Sequence, residues 1–306
     1  MRTIRIGSRG SRLALVQARG IMDALAPYAT VELEIIQTHG DQVTDRPLSQ
    51  VGGSGLFIKE IEKALLEERI DLAVHSMKDV PSDVAEGLIL TATTERKDPR
   101  DAFVSLRAES IETLPQGARL ATGSLRRRSQ LLAARSDLQI EGLRGNVPTR
   151  LEKLDASNWE GIVLAAAGLE RLGLTDRISS LIPVETMLPA VGQGALAIEI
   201  READEALGKS LKRLNHYASE RAVTAERALV ARLQGGCQVP IGAYAVLHDD
   251  VIRLRGFVGS LDGARYLKQE VSGRSDEAES LGLELAGRML EAGAAEIIRE
   301  VEASLG

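Results

Sequence analysis

Apolar and polar positions alternate along this chain with two different periods. TIRIGS at 3–8, VELEIIQT at 31–38 and IDLAVHS at 70–76 read as short strands. Between them, LALVQARGIMDAL at 13–25 and LFIKEIEKALLEE at 56–68 carry apolar residues at helical spacing. Strand and helix in alternation predict a mostly parallel sheet. The pattern then restarts: ARLAT, LQIEGL and GIVLAA read as strands, with LRRRSQLLAAR and VPTRLEKL helical between them. The two α/β units join near ERKDPRDAF at 95–103, whose charges and proline suit a crossing segment or hinge. From about 217 the order changes. A helix over SERAVTAERALVARL precedes three strand-like runs, VPIGAYAVL, VIRLRGFVG and ARYLKQEV, and a helical C-terminus, predicting a small α+β unit.

The length, 306 residues, suits two or three domains, and 44% hydrophobic with 27% charged residues is an ordinary globular balance. No apolar run of membrane-spanning length and no leader-like start is present, so a cytoplasmic protein without a membrane partner is expected. The net charge of -6 argues against a nucleic-acid partner. Within that acidic chain, residues 119–150 gather Arg119, Arg126, Arg127, Arg128, Arg135, Arg144 and Arg150 against Asp137 and Glu141. Such a local excess suits a small polyanion, although Arg128 and Arg135 read equally well as a solvated helix face.

Three glycine- and serine-bearing turns fall where strands give way to helices: GSRGS at 7–11, GGSG at 52–55 and TGS at 122–124. None matches a P-loop or a dinucleotide fingerprint. Arginines beside the first and third make them carboxylate or phosphate receptors, because exposed N–H groups and a guanidinium fork both bind anions. AVHSMKDVPS puts His75, Lys78 and Asp79 at the end of a strand, the edge of an open sheet where ligands bind. Asp79 could hold a cationic or N–H-rich group there, or merely cap or pair with Lys78. His39, His216 and His248 have no metal-ligand spacing, and no metal is expected. Cys237, the only cysteine, excludes an intramolecular disulfide. It is either a small buried hydrophobe or, in RLQGGCQVPI after a helix, an accessible thiol on a turn.

Together RGSRLALVQA, HSMKDVP, DPRDAFVS, SLRRR, LRGNVPTRL, LAAAGLERLGL, LPAVGQGALAIE, TAERA and GGCQVPIGAY resemble the porphobilinogen deaminase (hydroxymethylbilane synthase) family, in its order and over nearly the whole chain. The resemblance implies two lobes like those of periplasmic binding proteins plus a small α+β domain. Its boundaries would be 1–94 with 195–214, 95–194, and 215–306. It implies a transferase that condenses four porphobilinogen molecules with loss of ammonia, in tetrapyrrole and haem biosynthesis, working as a monomer. A dipyrromethane cofactor would be attached to Cys237, an anchor and not a turnover nucleophile. Asp79 would stabilise positive charge developing on a pyrrole nitrogen. Lys78, Asp79, Ser124, Arg126, Arg127 and Arg144 would hold the cofactor, and Arg9, Ser11, Arg144, Arg150 and Arg171 the substrate.

This chain departs from the family in two places. Many members carry a lysine in the loop that here reads GGSG, so Ser54 removes one cation, and Gly123 replaces a serine in TGSLRR. Two other readings remain. A non-catalytic polyanion binder would have no use for an exposed thiol, and a cysteine-dependent transferase or hydrolase lacks an identifiable base near the loop.

Overall fold

The computed structural model describes residues 3–42, 55, 58–234 and 239–305. The first unit runs β1 (Thr3–Arg9), α1 (Arg12–Leu25), β2 (Thr30–Ile36), a short α2 (His39–Gln42), α3 (Lys59–Leu66), β3 (Leu72–Ser76) and β4 (Leu88–Thr93). The second runs β5 (Asp101–Val104), β6 (Arg119–Ala121), α4 (Leu125–Ala134), β7 (Gln139–Glu141), α5 (Val147–Asp155), β8 (Gly161–Ala165), α6 (Ala166–Arg171) and β9 (Ser180–Ile182). Then come β10 (Leu196–Arg201) and α7 (Glu205–Leu211), and finally α8 (Tyr217–Arg232), β11 (Ile241–His248), β12 (Val251–Gly259), β13 (Tyr266–Arg274), α9 (Ala278–Glu291) and α10 (Ala294–Leu305).

The expected architecture of two α/β lobes and a small α+β unit is present. The first sheet has the order β2-β1-β3-β10-β4, the second β7-β6-β8-β5-β9 and the third β11-β12-β13. In each lobe the fourth strand of that order runs antiparallel to its neighbours: β10 against β3 and β4, and β5 against β8 and β9. Each is the first strand laid down after the chain crosses from the other lobe, so two connections, 94–100 and 183–195, join the lobes. Strands that enter by crossing arrive from the ligand-facing end, which reverses their direction. The rest of each sheet is parallel, as the alternation predicted.

One segment differs from its expectation. The crossing expected near ERKDPRDAF is shorter than that stretch, because its last residues, Asp101–Phe103, begin β5 and are buried. A charge inside a strand hid that strand from the hydrophobic pattern. The alternation of the sequence likewise gives no separate sign of β4, β9 or β10. The helical faces follow the 3.6-residue period: Ala18, Ile21 and Leu25 of α1 are buried against Ile6, Leu72 and Ile198. In the third unit, α8 and α9 bury Leu229, Leu285 and Met289 against Leu254 and Val258.

Candidate anion-binding site between the lobes

The site is built where strands end. β1 delivers Arg9, and Ser11 caps α1, its Oγ accepting from the Ala14 N–H at 3.3 Å. β3 runs into a single 3-10 turn, Met77–Asp79, which turns the chain sharply and leaves Asp79 at the strand edge. The Asp79 side chain is 35% exposed and its Oδ2 lies 3.9 Å from Arg9 Nη1. Arg9, Ser11, Gln17, His75 and Asp79 line one small cavity of about 50 Å³.

In the second lobe Ser124 caps α4, accepting from the Arg127 N–H at 3.4 Å. Gly123 suits that turn, since a Cβ there would lie 2.5 Å from the Leu143 carbonyl oxygen. The departure from serine therefore has a steric reason in this chain. Asn146 caps α5, and Arg150 folds back so that its Nε donates to Gly145 O at 2.7 Å.

Consecutive residues at the start of α4 have different surroundings. Arg126 and Arg127 are buried, and Arg128 is exposed, its Nε donating to Leu261 O at 3.2 Å. The two buried guanidiniums converge on Asp101 of β5, which is fully buried. Arg126 Nη1 donates to its Oδ2 at 2.7 Å, and Arg127 Nε and Nη2 donate to its Oδ1 at 3.0 and 2.8 Å. Gln193 Nε2 from the second crossing adds a bond at 3.0 Å. Burial alone would raise the Asp101 pKa; Arg126 and Arg127 overcome that and hold it well below the usual carboxylate range. Sequence reasoning missed Asp101. Its only signal was an acidic residue opening an apolar run, with buried arginines in want of a counter-charge.

The cations of the two lobes feel one another. Lys78 is pushed down to about 8, chiefly by burial, with Asp79 opposing the shift and Arg127 adding to it. Arg150 is pushed down to about 10 by burial, then by Arg127 and Arg144, again with Asp79 opposing. Arg9, Lys78, Asp79, Arg127, Arg144 and Arg150 thus belong to one electrostatic cluster drawn from both lobes. Arg171 is turned to the second crossing, where its Nη2 donates to Gly194 O at 2.6 Å. His75, from the same stretch as Asp79, is used internally: its Nε2 lies 2.9 Å from Glu199 Oε2, and both side chains are buried. Cys237 and Ser54 lie outside the described residues. Among the described residues, no group of three or more His, Cys, Asp or Glu is placed to hold a metal ion, and no helix is long and apolar enough to cross a membrane.

Residues 4–209 match the family model "Porphobilinogen deaminase, dipyromethane cofactor binding domain", and residues 221–291 match "Porphobilinogen deaminase, C-terminal domain". The porphobilinogen deaminase of Geobacter metallireducens is 52% identical over 97% of this chain and 94% of its own. That of Pelobacter propionicus is 50% identical over 98% of this chain and 97% of its own. Among solved structures, the periplasmic aliphatic sulphonate binding protein SsuA from Escherichia coli is similar over 76% of this chain and 71% of its own, at 14% identity and a TM-score of 0.41. With both of its family models matched in order and relatives half identical along nearly its full length, the chain belongs to the porphobilinogen deaminase family.

Proposed function

We propose that the cleft between the lobes carries out the family's reaction, in which four porphobilinogen molecules are joined head to tail with loss of ammonia to give hydroxymethylbilane. The observation that carries this reading is the meeting of a part-exposed carboxylate, Asp79, with cations from both lobes. The chain has a dipyrromethane cofactor-binding domain. A dipyrromethane brings an acetate and a propionate on each ring, and the donor set fits such a polyanion. Lys78 and Arg150 are both held below their ordinary values, by burial first and then by neighbouring cations; carboxylates placed beside them would relieve that repulsion.

Lys78, Ser124, Arg126, Arg127 and Arg144 would hold the cofactor, and Arg9, Ser11, Arg144, Arg150 and Arg171 the substrate's carboxylates. When bound, the cofactor supplies the electron-rich pyrrole carbon on which the chain starts. Asp79 stabilises the positive charge that develops on a pyrrole nitrogen, at a position held in advance and not by solvent. Arg9, close to Asp79, orients an incoming carboxylate. Arg127, whose Nε and Nη2 are taken by Asp101 and whose Nη1 donates to Val163 O at 2.9 Å, offers its few remaining donors from a rigid frame. The proposed domain boundaries are 1–94 with 195–214, 95–194, and 215–306. Pairing of β10 with β3 and β4 supports the return to the first lobe. A monomer suffices for this site, since one chain supplies the whole cluster, and a cytoplasmic location is part of the same proposal.

Covalent attachment at Cys237 is supported by its place in GGCQ. Intact mass tests it. Protein from cells able to supply porphobilinogen should carry an adduct of two linked pyrrole units, and Cys237→Ala should lack it. A wild-type mass equal to the bare chain would remove the cofactor from this proposal.

A further inference from the structure

Helix α8 belongs to the third unit, yet one of its faces grips the turn that presents Asp79. Arg227 Nη1 donates to Val80 O at 3.2 Å, and its Nη2 donates to Pro81 O at 2.7 Å and Ser82 O at 2.9 Å. One guanidinium thus fastens three successive carbonyls immediately after Asp79. One helical turn earlier on the same face, Val223 is buried against Met77, with Val80 packed alongside. The Met77 N–H donates to Ala195 O at 3.0 Å, on the strand-side flank of the turn. Gly192, at φ +66°, lets the second crossing lie directly on the Met77 side chain. Residues on both sides of Asp79 are therefore held by α8 and by the chain around the second crossing, while the Asp79 carboxylate is left part exposed.

A guanidinium is a planar fork with fixed directions, so carbonyls bound to it are located in angle as well as in distance. A charge that stabilises a transition state must be held to within about 0.5 Å, and a displacement of about 1 Å commonly costs about 10²-fold in rate. We propose that Arg227 is a positioning residue for the reaction: through the carbonyls of Val80, Pro81 and Ser82 it fixes where the Asp79 carboxylate stands, without itself touching the substrate. The inference rests on the role given to Asp79 above.

The test is a double-mutant cycle on the cofactor-loaded enzyme, comparing Arg227→Met, which keeps the apolar stem, with Asp79→Asn and with both together. Arg227→Met is expected to load the same adduct mass as wild type, to keep KM within about twofold and to lose about 10- to 100-fold in kcat. In the Asp79→Asn background it should cause no further loss, because a charge that has been removed cannot be misplaced. Should Arg227→Met fail to fold, Arg227→Lys and Arg227→Gln carry the same cycle. Wild-type kcat in the single variant, or losses that multiply in the double variant, would overturn the proposal. If instead Asp79→Asn alone turned over at the wild-type rate, the role of Asp79 would fall first, and the cycle distinguishes that failure from failure of Arg227 alone.

Discussion

The two lobes share a strand order, with one antiparallel strand in the same place of each sheet, yet they use their carboxylates in opposite ways. Asp79 of the first lobe is 35% exposed and lies 3.9 Å from one arginine nitrogen. Asp101 of the second is fully buried and accepts from Arg126, Arg127 and Gln193. Both groups are acidic, both stand near the same cations, and both sit in sequence stretches dense with charge. The difference teaches that hydrogen-bond saturation separates a carboxylate that organises a site from one that can act in it. Asp101 accepts four hydrogen bonds and its charge is more than balanced. Asp79 keeps oxygen atoms open to the cleft.

That contrast breaks or sharpens with four experiments. The largest effect is expected from Asp101→Ala, which strands two buried guanidiniums and should cost about 3–5 kcal/mol of stability, read from a denaturant midpoint. Should it unfold at the wild-type midpoint, Asp101 is not the counter-charge described here. Asp79→Asn should do the reverse, melting as wild type while turnover falls by about 10² to 10³ at matched cofactor loading. Asp79→Glu, which keeps the charge, should retain more activity. A large loss of stability in Asp79→Asn would erase the distinction between the two groups.

The third experiment is a pH series. In the cofactor-free chain Lys78, pushed down to about 8, is cationic below that value and neutral above it, so the yield of cofactor adduct formed from porphobilinogen should fall as pH rises through about 8. The sign for stability is opposite. With the folded value below the unfolded one, the unfolded chain binds more protons between about 8 and about 10.5, and this group's contribution to stability grows with pH across that window. Lys78→Arg, which does not titrate there, should flatten the adduct-yield profile; a break that persists in that variant would assign it to another group. The smallest effect is expected from Arg128→Leu. Exposed and bonded to one carbonyl, it should change stability by no more than about 0.5 kcal/mol and leave the adduct in place, whereas Arg126→Leu and Arg127→Leu should lose it. Equal adduct loss in all three would show that burial does not sort these arginines by role.

Much of this was legible in the residues alone, because helices and strands announce themselves through neighbours two to four positions apart. The face of α1, the serine-bearing turns at 7–11 and 122–124 where strands give way to helices, and the three strands of the last unit are all local features of that kind. So is the excess of arginine after residue 119, which, with the motif resemblance, points to a polyanion without any geometry. What the residues could not declare is who neutralises whom. Asp101 meets Arg126 from 25 positions away, His75 meets Glu199 from 124, and Arg227 reaches Ser82 from 145. No periodicity links such partners. They meet only because the chain crosses between lobes twice and then lays α8 against the turn that bears Asp79, and it is sheet closure and packing, not local preference, that set those distances.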